Sequence, residues 1–371
     1  MNSGLPLLFL ISGCFTPEAY EIDVDTLSFS NAYTTNTDIV IEPASYALRC
    51  PDGEDAPFYA VYREGITTPA PLVVVFHSGA FDYVANPPPE TPTAGNHLAG
   101  EDRLSADWAS DKIFETFGLL PGGAATLNED NDGVLPAVLA DAGAFTLYPG
   151  NCWGDLWHNE SGYTLNNPDE FIDRNGRAMA WAMLALASAD TEEALSWKSR
   201  LGMDKLPIPV DFTGVHLVGL GDGGRAVIEL LRRGADPTVA RGAMPPINGV
   251  LLDSTPDDLS AIYEAPQSYA AQPEGLDRIY TDGVDDLGFW SLARWYSERG
   301  VDAPLNYYYS STDPQLPLDT VTPLFAFAES ADAEGLITVH DLGSARHIQL
   351  NNKANLATTT EAVQTLLGLT P

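Results

Sequence analysis

The residues with the clearest chemical potential lie in a glycine-rich turn, residues 219–224 (GLGDGG). The apolar run before it, residues 215–218 (VHLV), predicts a strand, and residues 225–231 (RAVIELL) predict a helix. A strand, a sharp turn and a helix in this order usually present a nucleophile at the tip of the turn. Here that position is Gly221, which has no side chain with which to attack a substrate.

A second segment of this kind follows the apolar run 71–76, where the chain reads His77-Ser78-Gly79-Ala80-Phe81. Small residues allow backbone N–H groups to approach a substrate oxygen. This segment resembles the oxyanion loop of α/β-hydrolase esterases and lipases, and the glycine-rich turn resembles their G-x-S-x-G-G nucleophile elbow with glycine in place of serine. The resemblance implies an oxyanion hole formed by the backbone of Ser78, Gly79, Ala80 and Asp222.

The same resemblance implies an acid and a histidine downstream of the elbow, in that order. Asp313 lies in the turn TDPQLP directly after a predicted strand, and His347 lies between the last predicted strand and the last helix. They take the places of the acid that orients the histidine and of the histidine that acts as base. His340 and His216 fall within predicted strands, which makes them structural.

With Gly221 at the nucleophile position, covalent serine catalysis is predicted to be absent. A protein of this kind would bind ester- or acyl-like molecules with little or no hydrolysis. Two alternatives stay open: a hydrolase that uses Asp222 or a water activated by His347, and a surface protein that only binds ligands. Gly219, Gly221 and Gly224 also fit a dinucleotide-binding G-x-G-x-x-G, but no acidic residue ends a strand about 20 residues further on.

Strands that alternate with helices must position these residues, and this pattern predicts a mostly parallel sheet with helices on both faces. The predicted strands are residues 57–64, 71–79, 143–150, 214–221, 248–254, 305–311 and 336–342. The predicted helices are residues 103–120, 170–188, 224–234, 288–300 and 354–369. Residues 82–102 and 255–287 interrupt the alternation and are predicted to form rim insertions or surface loops. The predicted class is α/β, with the α/β-hydrolase fold.

The charge balance is strongly acidic, with 18 Lys and Arg against 52 Asp and Glu and a net charge of −34 over 371 residues. Such a surface repels phosphate backbones, so nucleic-acid binding is excluded as a function. The excess of carboxylates fits a salt-adapted protein and equally an ordinary acidic secreted protein. The sequence predicts no organic cofactor.

The N-terminus predicts a location at a bacterial cell envelope. The apolar run 5–11 is typical of a signal peptide, and residues 11–14 (ISGC) resemble a bacterial lipobox. The resemblance implies cleavage after residue 13 and a lipid anchor on Cys14. We therefore expect a signal peptide over residues 1–13, an acidic tether with a first strand over residues 14–45, and a hydrolase-like domain over residues 46–371.

Two further sites are predicted outside the elbow. With Cys14 lipidated, Cys50 and Cys152 remain, and an even number in an oxidising compartment predicts a disulfide, with two free thiols as the alternative. The segment 128–133 resembles the start of a calcium loop, which implies oxygen ligands from Asn128, Asp130 and Asp132. The twelfth position is Leu139, so a full EF-hand is excluded, and a solvated acidic turn is the alternative.

Overall fold

The computed structural model describes residues 33–34, 39–49, 55–76, 134–149, 206–221, 224, 227–228, 230–231, 246–257, 291–299, 301–313, 316, 318–343 and 348–369. These residues contain one sheet of nine strands. The strands are β1 Tyr33–Thr34, β2 Ile39–Arg49, β3 Asp55–Arg63, β4 Ala70–Phe76, β5 Phe145–Pro149, β6 Val210–Leu220, β7 Ile247–Asp253, β8 Leu305–Tyr309 and β9 Ile337–Asp341.

The sheet has the strand order β1-β2-β3-β5-β4-β6-β7-β8-β9. β1, β2, β3 and β5 pair antiparallel, whereas every pair from β5 across to β9 is parallel. The predicted mostly parallel sheet is therefore confirmed. Because these strands run in the same direction, their carboxyl ends all lie at one edge of the sheet. This edge holds the ends of β4, β6, β7, β8 and β9.

β4 shows why the parallel strands are apolar throughout, since both of its faces are covered. Leu72, Val74 and Phe76 point into one hydrophobic core. Val73 and Val75 point into the core on the opposite face. Alternate residues of a strand face opposite sides, so a strand covered on both sides needs a continuous apolar run.

Four helices cover the two faces in the described part of the chain: α1 Leu135–Asp141, α2 Leu292–Arg299, α3 Thr322–Ala328 and α4 Leu356–Leu366. Residues 224, 227–228 and 230–231 are also helical and follow β6. This helical segment packs with α2 and α3 in one core, and α1 and α4 pack in the other. The predicted helices on both faces are confirmed.

The short helices α1 and α3 were not predicted from the sequence. Each has seven residues and a proline in its first turn. Fewer than two full turns show little of the 3.6-residue periodicity by which a helix is recognised. The predicted helices 103–120 and 170–188, and the insertion 82–102, lie outside the described residues. None of the helices that are described has the length and apolar character needed to cross a lipid bilayer.

β2 crosses residue 45, where the sequence divided the tether from the hydrolase-like domain. It pairs with β3 from Ile39 to Arg49, with an irregularity between Pro43 and Ala47. Residues 14–45 were predicted to hold a tether and a first strand, and β1 and the first part of β2 lie within that range. The predicted signal peptide, residues 1–13, lies outside the described residues.

Candidate active site

The turn after β6 has the backbone geometry expected of a nucleophile elbow. Gly221 follows the strand directly, is buried, and has a φ of 55°. This left-handed conformation is unfavourable for residues that carry a Cβ and accessible to glycine. The chain becomes helical by residue 224, so the strand-to-helix reversal takes only a few residues.

The reversal brings strand and helix so close that two glycines have no room for a side chain. A Cβ at Gly219 would lie 2.5 Å from the Cα of Gly224 and 2.7 Å from Cδ2 of Leu252. A Cβ at Gly224 would overlap the side chain of Thr255. Apolar carbons normally approach to about 3.5–4.0 Å, so both positions require glycine.

Asp313 lies at the same edge of the sheet as Gly221. It comes four residues after the end of β8, in a turn where its amide donates to the Ser310 carbonyl at 3.1 Å. Its side chain is buried, with 8% of its surface exposed. β7 separates β6 from β8, which places the two strand ends about 10 Å apart at a strand spacing of about 4.8 Å.

The segment predicted to carry His347 starts at the end of β9 and is fixed there to the turn that carries Asp313. Oδ1 of Asp341 accepts hydrogen bonds from the Ser311 amide at 3.0 Å and from the Gly343 amide at 2.9 Å. Although desolvation by itself raises the pKa of Asp341, the hydrogen bonds from Ser311 and Gly343 lower it. One carboxylate oxygen therefore joins the two segments.

The far end of that segment is bound to the tip of β7. Oδ2 of Asp253 accepts a hydrogen bond from the Leu350 amide at 2.6 Å, and Oδ1 accepts one from the Ser254 hydroxyl at 2.9 Å. Oγ of Ser254 in turn accepts a bond from the Ile348 amide at 3.3 Å. Asp253 and Ser254 have no exposed surface.

These two residues were not identified as site residues from the sequence. The signal that could have found them is a carboxylate and a hydroxyl at the end of the otherwise apolar run of β7. Full burial also means that Asp253 is not accessible to bind a ribose, which argues against the dinucleotide-binding alternative.

Another buried carboxylate, Asp257, fixes the chain on the far side of the predicted insertion 255–287. Its Oδ2 accepts from the Ser291 hydroxyl at 2.9 Å, and its Oδ1 accepts from the Leu292 amide at 2.5 Å. Leu292 begins α2, whose first amides have no partner within the helix. Asp257 thus satisfies one of them from a distant part of the chain.

The two strand histidines have structural positions, as predicted. His216 is buried in β6; burial lowers its pKa, and a hydrogen bond from its ring to the Leu366 carbonyl acts in the opposite direction. His340 stacks on Tyr308 with ring centroids 4.3 Å apart and an interplanar angle of 8°. Burial lowers the pKa of His340 as well, with an opposing effect from Glu361.

The remaining site predictions fall on residues outside the described ranges and stay predictions. They are His347, Asp222, Ser78, Gly79, Ala80, Cys14, Cys50, Cys152, Asn128, Asp130 and Asp132. Within the described ranges, no group of three or more His, Cys, Asp or Glu side chains could hold a metal ion.

No protein-family model matches the chain, and a search of curated proteins found no match either. The search of solved structures did find similar folds. A variant of the esterase rPPE complexed with (S)-Ac-CPA is 13% identical with a TM-score of 0.51, over 95% of this chain and 84% of that chain. Esterase B from Lactobacillus rhamnosis (HN001) is 13% identical with a TM-score of 0.52, over 91% of this chain and 87% of that chain. The strand order and these similarities show that the chain has the α/β-hydrolase fold.

Proposed function

We propose that this protein is an esterase- or lipase-like member of the α/β-hydrolase fold that binds ester- or acyl-like molecules and lacks covalent serine catalysis. The observation that carries the proposal is Gly221, which lies in a left-handed conformation at the tip of β6 and has no side chain. The crowding at Gly219 and Gly224 supports the elbow, because a plain loop would not need glycine at both positions.

The chemical consequence follows from the role of the missing hydroxyl. A serine at residue 221 would lose its proton to His347 while Asp313 orients the imidazole. Without Oγ no acyl-enzyme forms, and loss of a triad nucleophile costs on the order of 10⁶ in turnover. The residual acceleration from binding and an oxyanion hole is about 10³–10⁴ over water. A bound ester would therefore be cleaved far more slowly by this chain than by one with serine at residue 221.

The ligand class rests on the fold together with the predicted oxyanion loop. The solved esterases that resemble this chain include one in complex with (S)-Ac-CPA and an inhibited form of esterase B. A backbone oxyanion hole at Ser78–Ala80 and Asp222 would bind a carbonyl oxygen in the same way whether or not a nucleophile attacks it. The strongly acidic composition disfavours anionic ligands such as nucleic acids.

The direct test restores the hydroxyl with Gly221→Ser and uses Gly221→Ala as the matched control. Both variants add a Cβ at the same positive φ, so both have the same backbone strain, and only the serine adds a nucleophile. We expect hydrolysis of short aryl esters to rise at least about 10³-fold in Gly221→Ser and not in Gly221→Ala. A fluorophosphonate probe should label only the serine variant.

Three outcomes would contradict the proposal. Strong esterase activity in the unmodified chain that disappears in Asp222→Asn would identify an aspartate nucleophile. Activity that survives that change but disappears in His347→Gln would identify a water activated by histidine. If Gly221→Ser gains neither activity nor labelling, the turn is not a nucleophile elbow, and a binding function without a hydrolase site is left.

We also propose that Cys14 carries a lipid that anchors the protein at a bacterial cell envelope and that Cys50 and Cys152 form a disulfide. β2 ends at Arg49 and β5 ends at Pro149, close in sequence to the two cysteines. Both strands pair antiparallel with β3, so their carboxyl ends lie at the same edge of the sheet, two strand spacings or about 10 Å apart. The pairing therefore requires the residues after each strand to bring the two cysteines within about 7 Å between Cα atoms. Metabolic labelling with a fatty acid should be lost in Cys14→Ser. Free thiols of Cys50 and Cys152 should be detected only after the protein is reduced.

A further inference from the structure

The segment between β9 and α4 is held at both ends by hydrogen bonds from neighbouring strand tips. At its start, Asp341 binds the Gly343 amide and also the Ser311 amide of the turn that carries Asp313. At its end, the tip of β7 binds the amides of Ile348 and Leu350. His347 is covalently adjacent to Ile348, so the backbone that follows His347 is fixed by contacts to β7.

The contacts at the β7 tip link Asp253, Ser254 and the segment after His347 through shared hydrogen bonds. Both carboxylate oxygens of Asp253 are used, one by the Leu350 amide and one by the Ser254 hydroxyl. The Ser254 hydroxyl donates to Asp253 and accepts from Ile348, while its amide donates to the Tyr308 carbonyl at 2.9 Å. Because Asp253 and Ser254 have no exposed surface and Ile348 is partly buried, a break in this set would remove hydrogen bonds from buried polar groups.

The backbone at both partners is in an unusual conformation. Ser254 has a φ of 55° and Ile348 a φ of 53°, and they are the non-glycine residues with positive φ in the described part of the chain. A β-branched residue in this region is unfavourable and persists only where the surroundings impose it. The hydrogen bond from the Ile348 amide to Ser254 joins the two strained residues directly.

We propose that Asp253 and Ser254 are positioning residues for His347 that act through the backbone of Ile348 and Leu350. The inference rests on the proposed function, in which His347 is the base of an impaired triad. The bond through Ser254 holds the residue next to His347, and the bond from Asp253 to Leu350 holds the turn beyond it. Register supports this role, since Asp253 pairs with Leu220 and Ser254 therefore stands level with Gly221 on the adjacent strand.

Ser254→Gly is the informative variant, because it removes the hydroxyl together with the Cβ, and glycine adopts a φ of 55° without strain. Ser254→Ala removes the hydroxyl but keeps the Cβ, and Asp253→Asn keeps one acceptor oxygen. Asp211→Asn is the matched control. Asp211 accepts hydrogen bonds from the amide and hydroxyl of Thr213 near the start of β6, at the opposite end of that strand from Gly221.

The first measurement is made in the full chain with Gly221 unchanged. It follows the imidazole signal of His347 by NMR, assigned through its loss in His347→Gln, together with amide exchange at Ile348 and Leu350. In Ser254→Gly and Ser254→Ala we expect exchange at Ile348 to be about five- to tenfold faster. We expect the titration midpoint of His347 to move by about half a pH unit or more. Asp211→Asn should leave both readouts as they are.

The second measurement repeats the variants in the Gly221→Ser background on aryl esters. A misplaced base should lower kcat about 10- to 100-fold with KM within about twofold, whereas a general loss of structure would change both. The proposal is overturned if Ser254→Gly and Ser254→Ala leave the His347 titration and the Ile348 exchange unchanged. If Gly221→Ser has no activity, the proposed function fails, and the NMR measurement still decides whether Asp253 and Ser254 position His347.

Discussion

Replacing Gly219 with alanine tests the close packing on which the elbow interpretation depends. Gly219 lies within β6, so alanine is not opposed there by a positive φ. The new Cβ would lie 2.5 Å from the Cα of Gly224, about 1 Å inside the normal contact distance. The neighbour is backbone and cannot rotate away, so the helix after β6 must shift. Overpacking costs about 1–3 kcal/mol, and we expect about 3 kcal/mol here.

Gly143→Ala is the matched control, because it separates backbone strain from crowding. Gly143 has a φ of 83°, and a Cβ built on it meets no atom within 4 Å. Its replacement should cost about 1 kcal/mol through the left-handed conformation alone. Urea unfolding followed by tryptophan fluorescence gives both free energies of unfolding, with the slope of each transition as a check on two-state behaviour. If Gly219→Ala destabilises no more than Gly143→Ala, the packing argument for the elbow is wrong.

Three further predictions concern stability. Asp257→Ala should lower the free energy of unfolding by about 2–4 kcal/mol, because it leaves the Ser291 hydroxyl and the Leu292 amide buried without this acceptor. Equal free energies of urea unfolding for Asp257→Ala and the unmodified chain would contradict this. Burial lowers the pKa of His216 in the folded state, so the unfolded state binds more protons below about pH 6.5, and stability falls as the pH falls from about 7 to 5. This fall should be smaller in His216→Gln, and an equal fall in both proteins would refute the assignment. With a net charge of −34, the thermal midpoint should rise between about 0.1 and 1 M NaCl, as the screening length shortens from about 10 to 3 Å. The exposed ion pair between Arg63 and Asp141 works against this trend by less than about 1 kcal/mol, so a midpoint that falls with salt would contradict the reasoning.

The parts of the fold that the sequence predicted are those with strong local signals. β4 was recognised because a strand covered on both faces is apolar at every position. The change from strand to helix around Gly221 was predicted because glycines at this spacing are typical of a sharp strand-to-helix turn, and the nucleophile elbow itself stays a prediction. α1 and α3 were missed because a helix of seven residues has almost no period to detect.

From the sequence, site residues could be predicted only where they follow the end of a predicted strand. Placing Asp313 after β8 needed no more than the position of the strand and the turn signal that follows it. The contacts of Asp253 and Ser254 join residues 97 and 94 positions apart, and no local pattern encodes such a pairing. Their role depends on the register between strands and on the path of the chain after β9, which only the three-dimensional structure supplies.

The strand order also constrains how the chain reaches its fold during synthesis. β4 lies between β5 and β6, and residues 77–209 separate β4 from β6 along the chain. β5 can pair with one side of β4 once residue 149 has emerged, but the other side waits for residue 220. At about 5–20 residues per second, translation of residues 77–209 takes about 7–27 s. Throughout that time the apolar edge of Val73, Val74 and Val75 is open to pairing with other nascent chains, so expression yield should depend strongly on holdase chaperones.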